Sequence, residues 1–271
     1  MPIAKVSEVG LEYYVEGEGP PLLLIMGMGG QASSWGEPFL ELLRPHFRLI
    51  RFSNRGTGRS DKPDGDYGIR LMAEDAAGLL RELGVPRAHV MGISMGGMIA
   101  QELVLNHPQV VQGLVLGCTN CGPTHSAVMP TQTLARFGQL SSLPLEERAR
   151  QFWLLAVTPE FVERGKAFLD GILAEGLAAP TPWTTFGKQF IAIQSFDTYE
   201  RLPQVKAPAL ILQGDRDILV PAQNADVLKG RIAGSQLRII ADVGHCFFWE
   251  KPEESAGAVV EFLSGVPAAA A

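Results

Sequence analysis

Cysteine is scarce. The 271-residue chain has three, an odd number and too few for a disulfide framework. Cys118 and Cys121 form a C-x-x-C, but no second pair completes a zinc site and no thioredoxin-like context surrounds them. Both read as buried thiols near a pocket mouth, and Cys246 as a packing residue. Basic excess is absent as well. Lys and Arg total 23 against 29 Asp and Glu, a net charge of −6, which argues against a nucleic-acid partner. The longest apolar runs, residues 21–28 and 110–117, are far too short to span a bilayer. The N-terminus, Met1-Pro2-Ile3-Ala4-Lys5-Val6-Ser7-Glu8, has no hydrophobic segment of the secretory kind, so the expected location is cytoplasmic. There are no internal repeats or low-complexity runs, and no membrane, metal or cofactor is expected.

What remains is an ordinary globular composition, 46% hydrophobic and 19% charged. The length suits one large α/β domain or a domain with an insertion. Two short strands around Val9-Gly10 open the chain. Apolar runs then alternate with helical patterns: strands at 22–26, 47–52, 88–92 and 110–117, with helices near 36–44, 70–83 and 95–106. The pattern resumes with strands at 208–213 and 236–240 and helices near 221–232 and 251–264. Strands apolar throughout predict a parallel sheet covered on both faces. Residues 122–205 show no strand, only helical runs near 131–140, 145–157, 159–175 and 184–196. They read as a helical cap inserted after the sixth strand, dividing the core into 1–121 and 206–265. The tail, 266–271, is expected to be disordered.

The densest chemical signal is Gly92-Ile93-Ser94-Met95-Gly96, lying between a strand and a helix. A G-x-S-x-G in that setting is a nucleophile elbow. Side chains two residues either side of the serine would clash in so tight a turn, and both places are glycine. The following helix aims its N–H groups and positive dipole end at the reacting oxygen.

A serine nucleophile needs a base, and the base an orienting carboxylate. Five histidines allow elimination. His46 reads as a surface turn, His89 as core and His107 as a helix terminator. His125 could face a pocket but precedes any plausible acid. His245, in the loop after strand 236–240, lies where a base at the sheet edge belongs. Asp215 and Asp217 follow strand 208–213. Asp217 is preferred, because Asp215 directly after glycine reads as a turn residue. Gly27-Met28-Gly29 follow another strand, and the N–H groups of Met28 and Met95 are the candidate oxyanion donors. All these groups fall at carboxyl ends of strands, where ligands bind in such sheets. For the pocket lining, Gly27, Gly29, Met129, Trp183, Phe186 and Phe190 are the candidates. Met28 and Met95 would add pliable apolar surface.

These motifs resemble those of the α/β-hydrolase superfamily over nearly the whole chain, within it the small capped esterases, lactonases and cofactor-free haloperoxidases. The matching residues are Gly92 to Gly97, Gly214-Asp215-Arg216-Asp217 with Pro221, Gly244-His245, and Asn54 to Asp61. The resemblance implies a mostly parallel eight-stranded sheet and places the family's acid on Asp217. Two positions depart from the pattern. Ser53 stands where an acidic residue opens the loop before Arg55, and Met26 stands where histidine precedes the oxyanion glycine. The expected activity is hydrolysis of a small, mainly apolar ester or lactone by Ser94, His245 and Asp217. Arg55 and Arg59 leave room for a carboxylate. Rival readings are peracid formation with apparent halogenation, carbon–carbon hydrolysis of a β-diketone, and a receptor that retains the triad. The sequence leaves the oligomeric state, a homodimer included, open.

Overall fold

The fold is described from a computed structural model covering residues 2–65 and 67–267. Strands β1 (Ile3–Val6), β2 (Val9–Glu16), β3 (Pro21–Ile25) and β4 (Arg48–Phe52) bracket α1 (Glu37–Leu43). Next come α2 (Ile69–Glu82), β5 (Ala88–Ile93), α3 (Met95–Asn106) and β6 (Val111–Gly117). Five helices then intervene: α4 (Thr131–Gln139), α5 (Leu145–Ala156), α6 (Pro159–Arg164), α7 (Lys166–Ala178) and α8 (Trp183–Gln194). The chain closes with β7 (Ala209–Gly214), α9 (Gln223–Arg231), β8 (Gln236–Ile240), α10 (Phe247–Glu250) and α11 (Pro252–Ser264).

The eight strands form one sheet in the order β1-β2-β4-β3-β5-β6-β7-β8. β1 and β2 run antiparallel, β2 and β4 antiparallel, and every pair from β4 to β8 is parallel. Successive side chains of a strand point to opposite faces, and the buried residues divide accordingly. Leu23 and Ile25 join a core under α2, α3 and α9. Leu22 and Leu24 join a second core under α1, α10 and α11. A sheet covered on both faces has apolar side chains at every strand position, hence the unbroken runs Leu22-Leu23-Leu24-Ile25 and Ala209-Leu210-Ile211-Leu212.

One expectation fails in the helical segment. The run read as a single helix over 159–175 is two, α6 and α7, divided at Gly165. Glycine is a poor helix former, and the Phe161 ring packs against this one so closely that an added Cβ would lie 2.8 Å from it. Of the segment expected to be disordered, Val266 packs against the second core and the Pro267 carbonyl accepts a bond from Gln112. Residues 268–271 lie outside those described.

The departure at Ser53 is compensated by Glu12 of β2, which is buried. Its carboxylate accepts the Ser53 hydroxyl at 2.8 Å and the Arg59 N–H at 2.9 Å. An acid from another strand thus fills the place of a local one.

Candidate active site

The elbow between β5 and α3 is enforced by packing. A Cβ on Gly92 would lie 2.1 Å from the Gly96 carbonyl oxygen, and one on Gly96 would lie 2.1 Å from that of Ile25. Neither position admits a side chain. Ser94 adopts φ 54° and ψ −124°, a strained conformation for a residue with a Cβ. Its carbonyl accepts the Thr119 hydroxyl at 2.7 Å, which ties the elbow to the end of β6.

The acid and the histidine meet from neighbouring loops. Asp217 Oδ1 accepts the N–H groups of Leu219 (2.8 Å) and Val220 (2.9 Å). Oδ2 accepts Gln213 Nε2 at 3.1 Å and pairs with His245 Nδ1 at 2.7 Å. The two loops close on each other because β7 ends in glycine: a Cβ on Gly214 would sit 2.2 Å from the Gly244 carbonyl oxygen. Asp215 accepts the Val243 N–H at 3.3 Å, so it supports the histidine loop rather than the imidazole. Burial works against a charged His245, but Asp217 and then Cys118 together outweigh it and hold the imidazole well above its usual range.

Ser94 and His245 border one cavity of about 540 Å³. Gly27, Met28, Gly29, Met129, Trp183, Phe186 and Phe190 border it too. Asp217 stands behind His245, away from the cavity. Phe186 lies against the backbone of Gly29 and stacks with Trp183, ring centroids 5.2 Å apart. Phe190 stacks with Phe137. Met95 differs from expectation: its side chain is fully buried in the first core, because the first residue of α3 points inward beneath the elbow. Met26 and Met98 border the cavity in its place. The N–H groups of Met28 and Met95 are engaged by no acceptor among the described residues.

The remaining titratable residues fall as follows. His125 is exposed and stacks on Tyr199, away from the cavity. His46 is exposed, His89 is buried, and His107 caps α3 and pairs with Glu74. Arg55 is taken by Asp75 at 2.6 Å, and neither it nor Arg59 borders the cavity. Cys118 is not at the pocket mouth: its thiol lies beside the acid and histidine, the donor atoms of all three within 4.8 Å of one another. Among the described residues this is the one donor set able to hold a metal, and it has fewer protein ligands than a structural zinc site requires. Cys246, by contrast, borders the cavity.

The insertion between β6 and β7 is tied to both sides of the site. Gln189 of α8 is fully buried, and its Oε1 accepts the Gly29 N–H at 2.8 Å. On the far side, the buried Glu250 carboxylate accepts the Gly244 N–H (2.7 Å), the Thr158 N–H (3.1 Å) and the Thr158 hydroxyl. The Cys246 N–H reaches the Ala156 carbonyl at 2.8 Å. Sequence reasoning missed Gln189 and Glu250. A Glu five residues after His245 could have been noticed, whereas nothing local marks Gln189.

Comparison with known proteins agrees with this architecture. Residues 20–252 match the family model of the alpha/beta hydrolase fold, and the chain belongs to that family. RutD of Azorhizobium caulinodans, named for carbamate hydrolysis, is 30% identical over 253 residues, covering 93% of this chain and 94% of its own. The 2-hydroxy-6-oxo-6-phenylhexa-2,4-dienoate hydrolase of Comamonas testosteroni is 28% identical, covering 96% and 95%. Among solved structures, the enol-lactonase of Burkholderia xenovorans LB400 superposes with a TM-score of 0.86 at 26% identity, covering 97% of this chain and 100% of its own. The protein is a hydrolase of this family. Among the described residues no helix is long and apolar enough to cross a membrane.

Proposed function

We propose that this hydrolase cleaves small, mainly apolar carboxylic esters or lactones through an acyl-enzyme. The observation that carries this reading is one cavity bordered by Ser94 at a strained elbow and by His245, whose Nδ1 is bonded to Asp217. The Asp217 pairing leaves Nε2 as the nitrogen available to a nucleophile. Ser94 Oγ attacks the carbonyl while His245 takes its proton. The oxyanion is met by the N–H groups of Met28 and Met95, each such donor being worth about 3–4 kcal/mol of barrier. His245 then protonates the leaving alkoxide, and water repeats the sequence on the acyl-enzyme. The helices between β6 and β7 act as a cap that excludes water and limits substrate size.

The enol-lactonase and carbamate hydrolase relatives support acyl chemistry on such a site. The dienoate hydrolase relative favours a second reading, carbon–carbon hydrolysis on the same residues. Steady-state hydrolysis of p-nitrophenyl esters from acetate to decanoate tests the first. The expected result is multiple turnover, favouring the short chains and lost in Ser94→Ala. Weak ester turnover beside rapid cleavage of a vinylogous β-diketone would replace it with the second.

A further inference from the structure

The cavity wall holds one permanent charge. Among the described residues bordering it, the ionic side chains are Arg148 and, when protonated, His245, and there is no carboxylate. Arg148 lies in the first turn of α5 and is half-buried. Its guanidinium is fixed from two sides. Nε donates to the Leu140 carbonyl at 3.0 Å and Nη2 to the Leu143 carbonyl at 2.8 Å. Its Cζ lies 4.4 Å from the centre of the Trp183 ring, itself part of the cavity wall. Among the described residues these are its contacts: no acceptor engages Nη1, and no acid lies within ion-pair distance. Arg150, two residues on, shows the contrast: Glu146 at 3.1 Å and Asp170 at 2.9 Å neutralise it.

A fixed guanidinium with a free N–H₂ edge in an apolar wall is an anion receptor. Orientation has already been imposed by the two carbonyls and the indole, so little side-chain freedom is lost on binding. Partial burial strengthens the attraction over that of an exposed arginine. A lone cation matches a monoanion, whereas a dianionic phosphate would bring a second charge with no partner. We propose that Arg148 selects esters or lactones whose apolar chain ends in a carboxylate, the reacting carbonyl at Ser94 and the carboxylate at Nη1. The inference rests on the acyl-transfer reading above.

The test compares two p-nitrophenyl esters of equal chain length, the octanoate and the monoester of octanedioic acid. The readout is the ratio of their kcat/KM values, from which a general loss of activity cancels. An apolar cavity alone would disfavour the terminal carboxylate. The expected wild-type ratio, anionic over neutral, is therefore at or above one. It should fall roughly tenfold or more in Arg148→Gln, the scale of one charge-assisted hydrogen bond. It should be only partly retained in Arg148→Lys, whose single ammonium must also serve the Leu140 and Leu143 carbonyls, and unchanged in Arg150→Gln, which removes an equal charge outside the cavity. A wild-type ratio far below one, or equal ratios in wild type and Arg148→Gln, would overturn the proposal. So would a stronger preference for an ω-phosphonate ester than for the carboxylate. If neither ester turns over, the acyl-transfer reading fails while the anion site stays testable. Calorimetric binding of octanoate, a monoanion, should then exceed that of neutral octanamide and weaken in Arg148→Gln, and equal octanoate binding in both proteins would sink it.

Discussion

The sheet edge and the helices above it build two halves of one cavity by different physical means. At the sheet edge, backbone sterics and backbone donors fix the reacting groups. Gly92, Gly96 and Gly214 allow chain crossings that no other residue permits, and two N–H groups grip one oxygen of Asp217. Above it, side chains do the positioning: Phe186 on Gly29, Gln189 on the Gly29 N–H, Arg148 on two helix-end carbonyls. The first half depends on a few positions that tolerate almost nothing. The second can be altered residue by residue, the freedom a family needs if one chemistry is to serve many substrates.

The sharpest way to break this contrast is at the acid. Asp217→Asn should lower kcat by about 10⁴-fold, since the wrong tautomer faces the serine. Asp215→Asn keeps an oxygen for the Val243 N–H and should lose little. The reverse ranking, measured on p-nitrophenyl butyrate, would move the acid. The same groups set the pH dependence. In the proposed mechanism His245 acts as base only when neutral, and Asp217, with Cys118, holds its proton on above the usual imidazole range. The acidic limb of kcat/KM should accordingly lie above pH 6.5 and shift downward in whatever residual activity Asp217→Asn retains.

A second effect belongs to the core alone. Burial, and then Arg87, push His89 down to about 4 from its ordinary 6.5, and its Nδ1 has no partner among the described residues. Protons therefore prefer the unfolded chain. The stability associated with this histidine is complete above pH 6.5 and is lost as pH falls toward 4, by roughly 3 kcal/mol at most. Urea titrations across that range should show the decline in the wild type and a shallower one in His89→Asn. Smaller still is the expected effect of Gln189→Leu, a fall in kcat of about tenfold with KM little changed, because a misplaced oxyanion loop weakens the transition state alone. The smallest is Phe186→Ala, a shift of the preferred acyl chain by about two carbons with kcat on the best substrate within a few-fold. If Phe186→Ala lowers kcat as much as Gln189→Leu does, the side-chain half does more than shape the cavity.

This contrast also explains what could be read from the sequence. Strand positions and the core helices are legible to within two or three residues, because unbroken apolar runs and obligatory glycines are local signals. The ordering of Ser94, Asp217 and His245 along the chain is legible for the same reason. Arg148 is not, since its meaning depends on where the carbonyls of Leu140 and Leu143 come to lie. Cys118 beside His245 is equally invisible: two strand ends bring together residues more than a hundred positions apart. Met95, expected to add apolar lining, is buried in the first core because the elbow turns successive side chains in opposite directions.

The bonds from Glu250 and Cys246 to the turn between α5 and α6 bear on chimeras. A recombination that exchanged the whole segment between β6 and β7 would replace the Thr158 hydroxyl and shift the backbone that supplies the Thr158 N–H and the Ala156 carbonyl. A graft that fitted poorly there would leave the buried Glu250 carboxylate leaning on the Gly244 N–H, five residues from the histidine. The transplant would arrive with a new specificity and a loosened base. The fragment worth exchanging is therefore smaller than the topology suggests: it should leave residues 156–158 with their original host.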